Sequence, residues 1–332
     1  MIVDIYTHIL PDAFFREMSR ASPKLENIGA RLRGVKKLFD LDLRFAEMDE
    51  IGDYAQIISL PNPPLEEIAQ GAVAASLTRV ANDAMAELCA KHGKRFPAFV
   101  AAVSLDDVDA ALKEAERAIK TLGARGIQIF TNIAGQPLDQ ERFKPVFAAM
   151  AGYDLPIWLH PARTAAMPDY AAESKSRFEM WWCFGWPYET SVAMARLVFS
   201  GVFDRHPGLK IVTHHLGGGM IPFFDGRIGA GMDVLGSRTS DEDYSKVLSS
   251  LKRPHLDYFR DFHADTALFG AGNGLTCGLD FFGADRVVFA TDAPLGPIAK
   301  TLAAVDRLGL DPAARRKIMV GNAERLLNKP LG

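Results

Sequence analysis

Along the chain, short runs rich in Val, Ile, Phe and Trp alternate with longer stretches whose apolar residues recur at helical spacing. The short runs are Ile2–Tyr6, Ala55–Leu60, Ala98–Ser104, Gly126–Phe130, Leu155–His160, Leu209–His215, Phe259–Asp265 and Arg286–Asp292. Each is bounded by Gly, Pro, Asp or Asn, as strands are. Between them lie predicted helices at Glu66–His92, Asp106–Leu122, Glu141–Ala151, Glu189–Asp204 and Pro297–Leu308. Strand then helix, repeated, calls for parallel strands joined by crossover helices. Eight such strands close into an α/β fold of the (β/α)8 TIM-barrel type. A doubly wound sheet, the competing architecture, would carry a Gly-rich phosphate turn after its first strand. Here that position reads Thr7-His8-Ile9-Leu10-Pro11, so the pattern predicts a single barrel domain over residues 1–332.

Two stretches break the rhythm, residues 11–43 after the first strand and 161–188 after the fifth. The second contains Trp181-Trp182, Phe184 and Trp186-Pro187-Tyr188. Long loops at the C-terminal ends of barrel strands form lids and substrate walls. An aromatic cluster serves a subunit contact equally well, and a homodimer is expected. A last helix, about Pro312–Leu327, is expected to pack outside the barrel.

Composition narrows the partners. A chain of 332 residues, 48% hydrophobic and 24% charged with net charge −3, offers no electrostatic footprint for nucleic acid or an anionic membrane. A small-molecule partner is expected. No apolar run approaches the roughly 20 residues of a spanning helix, and MIVDIYTHIL lacks the basic flank and apolar core of a secretory signal. Cys89, Cys183 and Cys277 form no CxxC pair. A reduced, cytoplasmic setting is the simplest expectation.

The ionisable residues give these elements a chemistry. His8 follows the first strand, His160 ends the fifth, His214-His215 end the sixth and Asp292 ends the eighth. All fall at the C-terminal face, where barrel enzymes keep their active sites. A lone histidine is more often structural, but several strand ends carrying His or Asp point to a metal or acid–base site. Imidazole with carboxylate suits zinc, manganese or iron, and three protein ligands with an open position make a catalytic site. His8, His160 and Asp292 can supply those three. Strand alternation lets one of His214 and His215 point inward. With Leu216-Gly217-Gly218-Gly219 following as a tight turn, His215 is the inward choice and His214 a packing or supporting residue. Asp265, ending the seventh strand, can orient a ligand. His263, two residues deeper, is expected in a core hydrogen bond, Glu189 in a helix's first turn, and His92, His206 and His255 at the surface.

The ordered set Asp4-Ile5-Tyr6-Thr7-His8-Ile9-Leu10-Pro11, His160-Pro161, Leu209–Pro222 (LKIVTHHLGGGMIP) and Thr291-Asp292-Ala293-Pro294 resembles the decarboxylase branch of the amidohydrolase superfamily. That branch includes aminocarboxymuconate semialdehyde decarboxylase and gamma-resorcylate decarboxylase. The segment Gly201–Leu209 adds to the likeness, which spans nearly the whole chain. The resemblance implies one divalent metal per chain, zinc first and manganese second, on residues matching His8, His160 and Asp292. It implies an acid–base histidine at His215, a proton-moving role for Asp292, and an arginine at Arg44 that pairs with a substrate carboxylate. On sequence grounds alone, Arg44 is more simply a surface ion pair. One departure stands out. Where the superfamily has His or Glu two residues before His8, this chain has Tyr6, a poor ligand as a neutral phenol with pKa about 10. Either the metal has fewer protein ligands, or the Tyr6 hydroxyl binds substrate, or the metal site is weakened or lost. Trp186, in the aromatic loop, fits a flat apolar substrate, and Arg163 is a second candidate for its carboxylate.

The expected activity is metal-dependent, non-oxidative decarboxylation of an aromatic or unsaturated carboxylic acid. Hydrolysis or hydration of a lactone or ring-cleavage product on the same barrel is the alternative. A barrel that binds a ligand without catalysis, its metal site degraded at Tyr6, is the third reading.

Overall fold

The structure is a computed structural model that describes residues 1–22, 27–238 and 241–331. The predicted strands are present and mostly shorter than their sequence patterns. They are β1 (Ile2–His8), β2 (Tyr54–Ser59), β3 (Ala98–Phe99, resuming after Val100 as Ala101–Ala102), β4 (Ile127–Phe130), β5 (Ile157–His160), β6 (Ile211–Thr213), β7 (His263–Asp265) and β8 (Val287–Val288). Neighbours in sequence pair in parallel from β1 to β8, with the ladder broken only at Val100. No ladder joins β8 to β1. Single bonds bridge that seam instead: Ile5 N donates to Phe289 O at 2.9 Å, Asp292 N to Tyr6 O at 3.2 Å, and His8 N to Ala293 O at 2.8 Å. This is the α/β TIM-barrel architecture. The predicted strand Phe259–Asp265 begins late, because His255–Phe259 is a helix.

Strand alternation divides the apolar residues between two cores. Ile57, Val100, Trp158, Val212 and Val288 fill the barrel interior. Their neighbours Ile58, Phe99, Leu159, Ile211 and Phe289 pack outward against the helices. Trp158 spans the interior, its Nε1 donating to Ile5 O at 3.1 Å. Space for its ring requires glycine at 126. A Cβ there would lie 2.5 Å from the ring and 2.3 Å from Pro156 O.

The β1–β2 register slips by one residue, so that Asp4 faces Gln56 but Thr7 faces Ile58. Such a bulge re-aims the side chains beyond it. Val3 and Ile5 line the interior below the slip, and Tyr6 and His8 point inward above it.

The chain's end departs from expectation. Its helix is interrupted by a wider turn at Lys317–Gly321, between Pro312–Arg316 and Asn322–Leu327. Val320, Ala323, Leu326 and Leu327 join the interior core, so the segment plugs the N-terminal mouth of the barrel instead of lying outside it. The long loop after β1 holds helices Asp12–Ala21, Asn27–Gly34 and Leu41–Ile51, while residues 23–26 lie outside the described residues. His255, expected at the surface, is buried against Ile228 O at 2.7 Å.

Arg44 requires a correction. It is buried on Leu41–Ile51, with Nε donating to Gln56 Oε1 at 2.7 Å, Nη1 to His8 O at 2.5 Å and Nη2 to Thr7 Oγ1 at 3.1 Å. Its face lies over Phe96 at 5.3 Å. With each of its three nitrogens bonded and the side chain 1% exposed, the guanidinium fastens β1 to β2 and is neither a surface ion pair nor open to the cleft. Arg44→Met removes these bonds and leaves buried acceptors unmatched, at about 1–3 kcal/mol for each unsatisfied group. The expected loss in urea unfolding is roughly 3 kcal/mol, with KM unchanged. A stable variant with a raised KM would restore the substrate-binding role.

Candidate active site

Three histidines at the top of the barrel are oriented the same way. The Nδ1 of His8 meets Leu60 O at 3.0 Å, that of His160 meets Pro161 O at 2.9 Å, and that of His214 meets the Asp265 carboxylate. A ring nitrogen fixed on an oxygen sets the tautomer and turns the other nitrogen toward a metal. The three ligand atoms lie within 4.8 Å of one another, and the Nε2 atoms of His8 and His214 are buried without a hydrogen-bond partner. Asp292 Oδ1 lies 3.2 Å from His8 Nε2 and 3.5 Å from His214 Nε2. Orphaned buried nitrogens facing a carboxylate are costly unless something bridges them. Nitrogen and oxygen donors at this spacing fit a divalent cation.

The electrostatics agree with that fit. Burial lowers the pKa of both His8 and His160, keeping them neutral as ligands must be. Burial also opposes a charge on His214, but Asp265 and Asp292 outweigh it and push that imidazole up to about 9. Burial would raise Asp292, yet the nearby imidazoles of His214 and His8 hold it well below the ordinary carboxylate range. The pocket is therefore built around two carboxylates and calls for positive charge.

His214 is the residue that sequence reasoning misplaced. β6 ends at Thr213, and from His215 to Gly219 every residue has positive φ, between 54° and 69°. Alternation puts Val212 and His214 inward. The left-handed turn then swings His215 back, so that both histidines reach the site, with rings stacked at 3.8 Å. His215 Nδ1 meets Ala267 O at 2.7 Å, leaving Nε2 toward the cleft, and burial lowers its pKa to about 4. Within the glycine run, Gly218 closes against the protein, since a Cβ there would lie 2.5 Å from Pro187 O.

Tyr6 does point at the cluster, but it lies beneath it. Its ring stacks on His214 at 3.9 Å and its buried hydroxyl has no partner. Burial, with Asp265 and Asp292 nearby, raises its pKa well above 10 and keeps the phenol neutral. It forms the floor of the cluster, and the hydroxyl expected to bind substrate is fully buried.

The cleft above the histidines is lined by Arg31, Trp182, Trp186, His215, Phe269 and Asp292 and has a volume of about 20 Å3. Trp186 is where the sequence suggested, edge-on to His160 at 5.8 Å with Nε1 on Arg163 O. Arg163 itself is paired with Glu189 at 3.0 Å. Glu189 sits past the first turn of the helix Gly185–Phe199, so this ion pair and Asn132 Nδ2 replace the expected dipole role. Two residues were not singled out from sequence. Asn62 lies against His160 Nδ1 at 3.0 Å, and Arg31 lies over Trp182 at 5.2 Å. Asn62 follows the end of β2 at the depth of His8 and was open to detection; Arg31 belongs to a loop that periodicity does not place.

Comparison with known proteins gives the same picture. Residues 3–329 match the family described as Amidohydrolase. The gamma-resorcylate decarboxylase of Rhodococcus jostii RHA1 is 34% identical over 305 residues, covering 87% of this chain and 88% of the relative. A crystal structure of dihydroxybenzoic acid decarboxylase from Polaromonas sp. JS666, with bound manganese and 2-nitroresorcinol, superposes with TM-score 0.78 and 27% identity over 98% of this chain and 96% of that one. The 5-carboxyvanillate decarboxylase of Sphingomonas paucimobilis superposes with TM-score 0.83 and 25% identity over 99% of both chains. No helix among the described residues is long and apolar enough to cross a membrane. With the strand-end cluster matched by likeness over nearly its whole length, the chain belongs to the amidohydrolase family, on its decarboxylase branch.

Proposed function

We propose that the protein is a metal-dependent, non-oxidative decarboxylase of a hydroxylated aromatic carboxylic acid. The observation that carries this reading is the convergence of His8, His160, His214 and Asp292 beneath an aromatic-walled cleft. His8, His160 and Asp292 hold one divalent cation per chain, and His214 directs its Nε2 to the same point. The manganese bound in the Polaromonas relative supports manganese ahead of zinc in this reading, and the donors suit both. When bound, the cation supplies fixed positive charge for the substrate's oxygens.

The protein's own groups then move one proton. His215, neutral and held by Ala267 O, offers its Nε2 lone pair to a substrate O–H other than the ring hydroxyl that gives up its proton. Asp292, an ionised carboxylate at rest, takes the hydroxyl proton and passes it to the ring carbon that bears the carboxylate. The C–C bond breaks, its electron pair returns to the ring, and carbon dioxide leaves. A solvent proton then restores the phenol. Trp182, Trp186 and Phe269 flank the ring and exclude water, and Arg31 is the cation that takes a substrate anion in place of Arg44. The cleft is narrow, and in this reading the aromatic wall is the part that opens for substrate entry.

Three outcomes test the proposal. Protein purified without chelators is expected to hold about one manganese or zinc per chain by mass spectrometry, and His8→Ala and His160→Ala to lose it. Asp265→Asn, which frees His214, is expected to weaken metal affinity by about 10–100-fold. Unchanged metal content in all three would remove the metal site.

With 2,6-dihydroxybenzoate as probe, Asp292→Asn and His215→Ala are expected to lower kcat for carbon dioxide release by roughly 10²–10⁴-fold while the circular dichroism stays unchanged. Arg31→Gln is expected to act mainly on KM. No release of carbon dioxide from the probe, with turnover of a lactone or ring-cleavage product instead, would turn the reading to hydrolysis or hydration.

The outer side of the aromatic loop bears on assembly. Tyr170, Phe178 and Phe184, with Phe223 on the neighbouring short helix, are exposed, Phe178 at 81%. An apolar patch of this kind suits a subunit contact, and we infer a homodimer in a cytoplasmic setting. Light scattering is expected to give twice 36.4 kDa, falling toward the monomer in Phe223→Glu. A wild-type monomer at micromolar concentration would discard the interface.

A further inference from the structure

At the opposite end of the barrel from the histidine cluster lies a larger cavity, about 740 Å3, which the reaction does not use. Its walls come from the N-terminal ends of three adjacent strands and the C-terminal plug. Lys210 precedes β6, His263 opens β7, Arg286 precedes β8, and Arg325 projects from Asn322–Leu327, with Lys252 and Arg253 at the rim. The acids in the same wall already have partners. Asp261 pairs with Arg253, and Asp204 accepts from Tyr258 Oη at 2.5 Å and Lys252 N at 3.1 Å. Asp285 pairs with Lys317 at 2.8 Å. Lys210 pairs outward with Asp154 at 2.7 Å.

Two guanidiniums are not matched in this way. Arg286 donates to Asp261 O at 3.2 Å and approaches the Asp261 carboxylate only to 3.9 Å, and Arg325 donates to Asp285 O at 2.7 Å. Between them sits His263, 4% exposed, with Nδ1 buried and unpartnered and Nε2 3.5 Å from Arg286 Nη1. The hydrogen bond expected of His263 from sequence is this long one, with the neutral ring accepting from Arg286. The guanidiniums keep N–H groups beyond these contacts, and two forked donors side by side match an oxyanion. The lining carries five cations, Lys210, Lys252, Arg253, Arg286 and Arg325, against three carboxylates, Asp204, Asp261 and Asp285, so positive charge is in excess. Burial first, and the cations Arg286, Arg325 and Lys210 next, hold the pKa of His263 down to about 3.

We propose that this basal cavity is an oxyanion site for a phosphate group, held by Arg286 and Arg325 with His263 at its back. The phosphate is either free or carried by a larger metabolite. The site is remote from the chemistry and does not depend on the decarboxylase reading.

The test is calorimetric titration of the metal-loaded protein at constant ionic strength with inorganic phosphate and, separately, with glycerol 2-phosphate. Saturable binding is expected for at least one of them, at least tenfold weaker in Arg286→Gln and in Arg325→Gln, and unaffected by saturating 2-nitroresorcinol. Tighter binding of the ester would assign the phosphate to a larger molecule, and equal binding to the free ion. Absence of saturable binding, binding unchanged in both variants, or displacement by 2-nitroresorcinol would overturn the site. Should either variant unfold, Lys252→Gln at the rim supplies the comparison, with a smaller loss of affinity expected. Carbon dioxide release stays at the wild-type rate in the folded variants whatever the titration gives, which separates this proposal from the proposed function.

Discussion

The site depends on how the first strand meets the last. Asp4 is fully buried at that seam, and its carboxylate accepts from Tyr54 Oη at 2.5 Å, from Thr291 Oγ1 at 2.5 Å and from Thr291 N at 3.1 Å. Burial pushes Asp4 up to about 7 against the pull of those three donors, so the arrangement is held by hydrogen bonds in a place that disfavours the charge. Thr291 is the residue before Asp292. Fixing it to β1 brings the Asp292 carboxylate to His8, and lets Asp292 itself sit at φ 65°, a left-handed conformation that persists only where its surroundings impose it. Arg44 fastens the other side of β1 to β2. Between them, these two buried polar groups locate His8 more firmly than the short ladders do.

Much of this was legible in the residues. The eight β-rich runs and the strand ends bearing His8, His160 and Asp292 follow from composition at regular intervals, and the resemblance to decarboxylases from the ordered motifs at those strand ends. What was not legible has a common cause. Alternation assumes an unbroken strand, and it breaks twice. The bulge between Asp4 and Thr7 keeps both Ile5 and Tyr6 inside, and the left-handed turn at His215 brings both histidines of the pair to the site. Arg44 was misread because a charge looks exposed until its acceptors are known. The plug at the barrel base was misread because an amphipathic helix does not declare which surface it covers.

The turn from His215 to Gly219 carries a cost, since a left-handed residue with a side chain loses roughly 1–2 kcal/mol. His215 and Leu216 bear it, and the three glycines avoid it. Leu216 is fixed in return: its N donates to Asp265 Oδ1 at 3.4 Å, and its side chain fills the space beside Gly278. The same carboxylate thus anchors His214 and the turn that follows. At the far side of the turn, Gly218 rests on Pro187, one residue from Trp186 in the cleft wall. Movement of that wall and the position of the paired histidines are therefore mechanically linked.

The site also draws on both ends of the strand order, with His8 on β1 and Asp292 just after β8, 3.2 Å apart. No ladder joins those two strands; single backbone bonds and the Asp4–Thr291 contacts hold them together. A substitution that loosens this seam therefore separates His8 from Asp292 without altering either side chain.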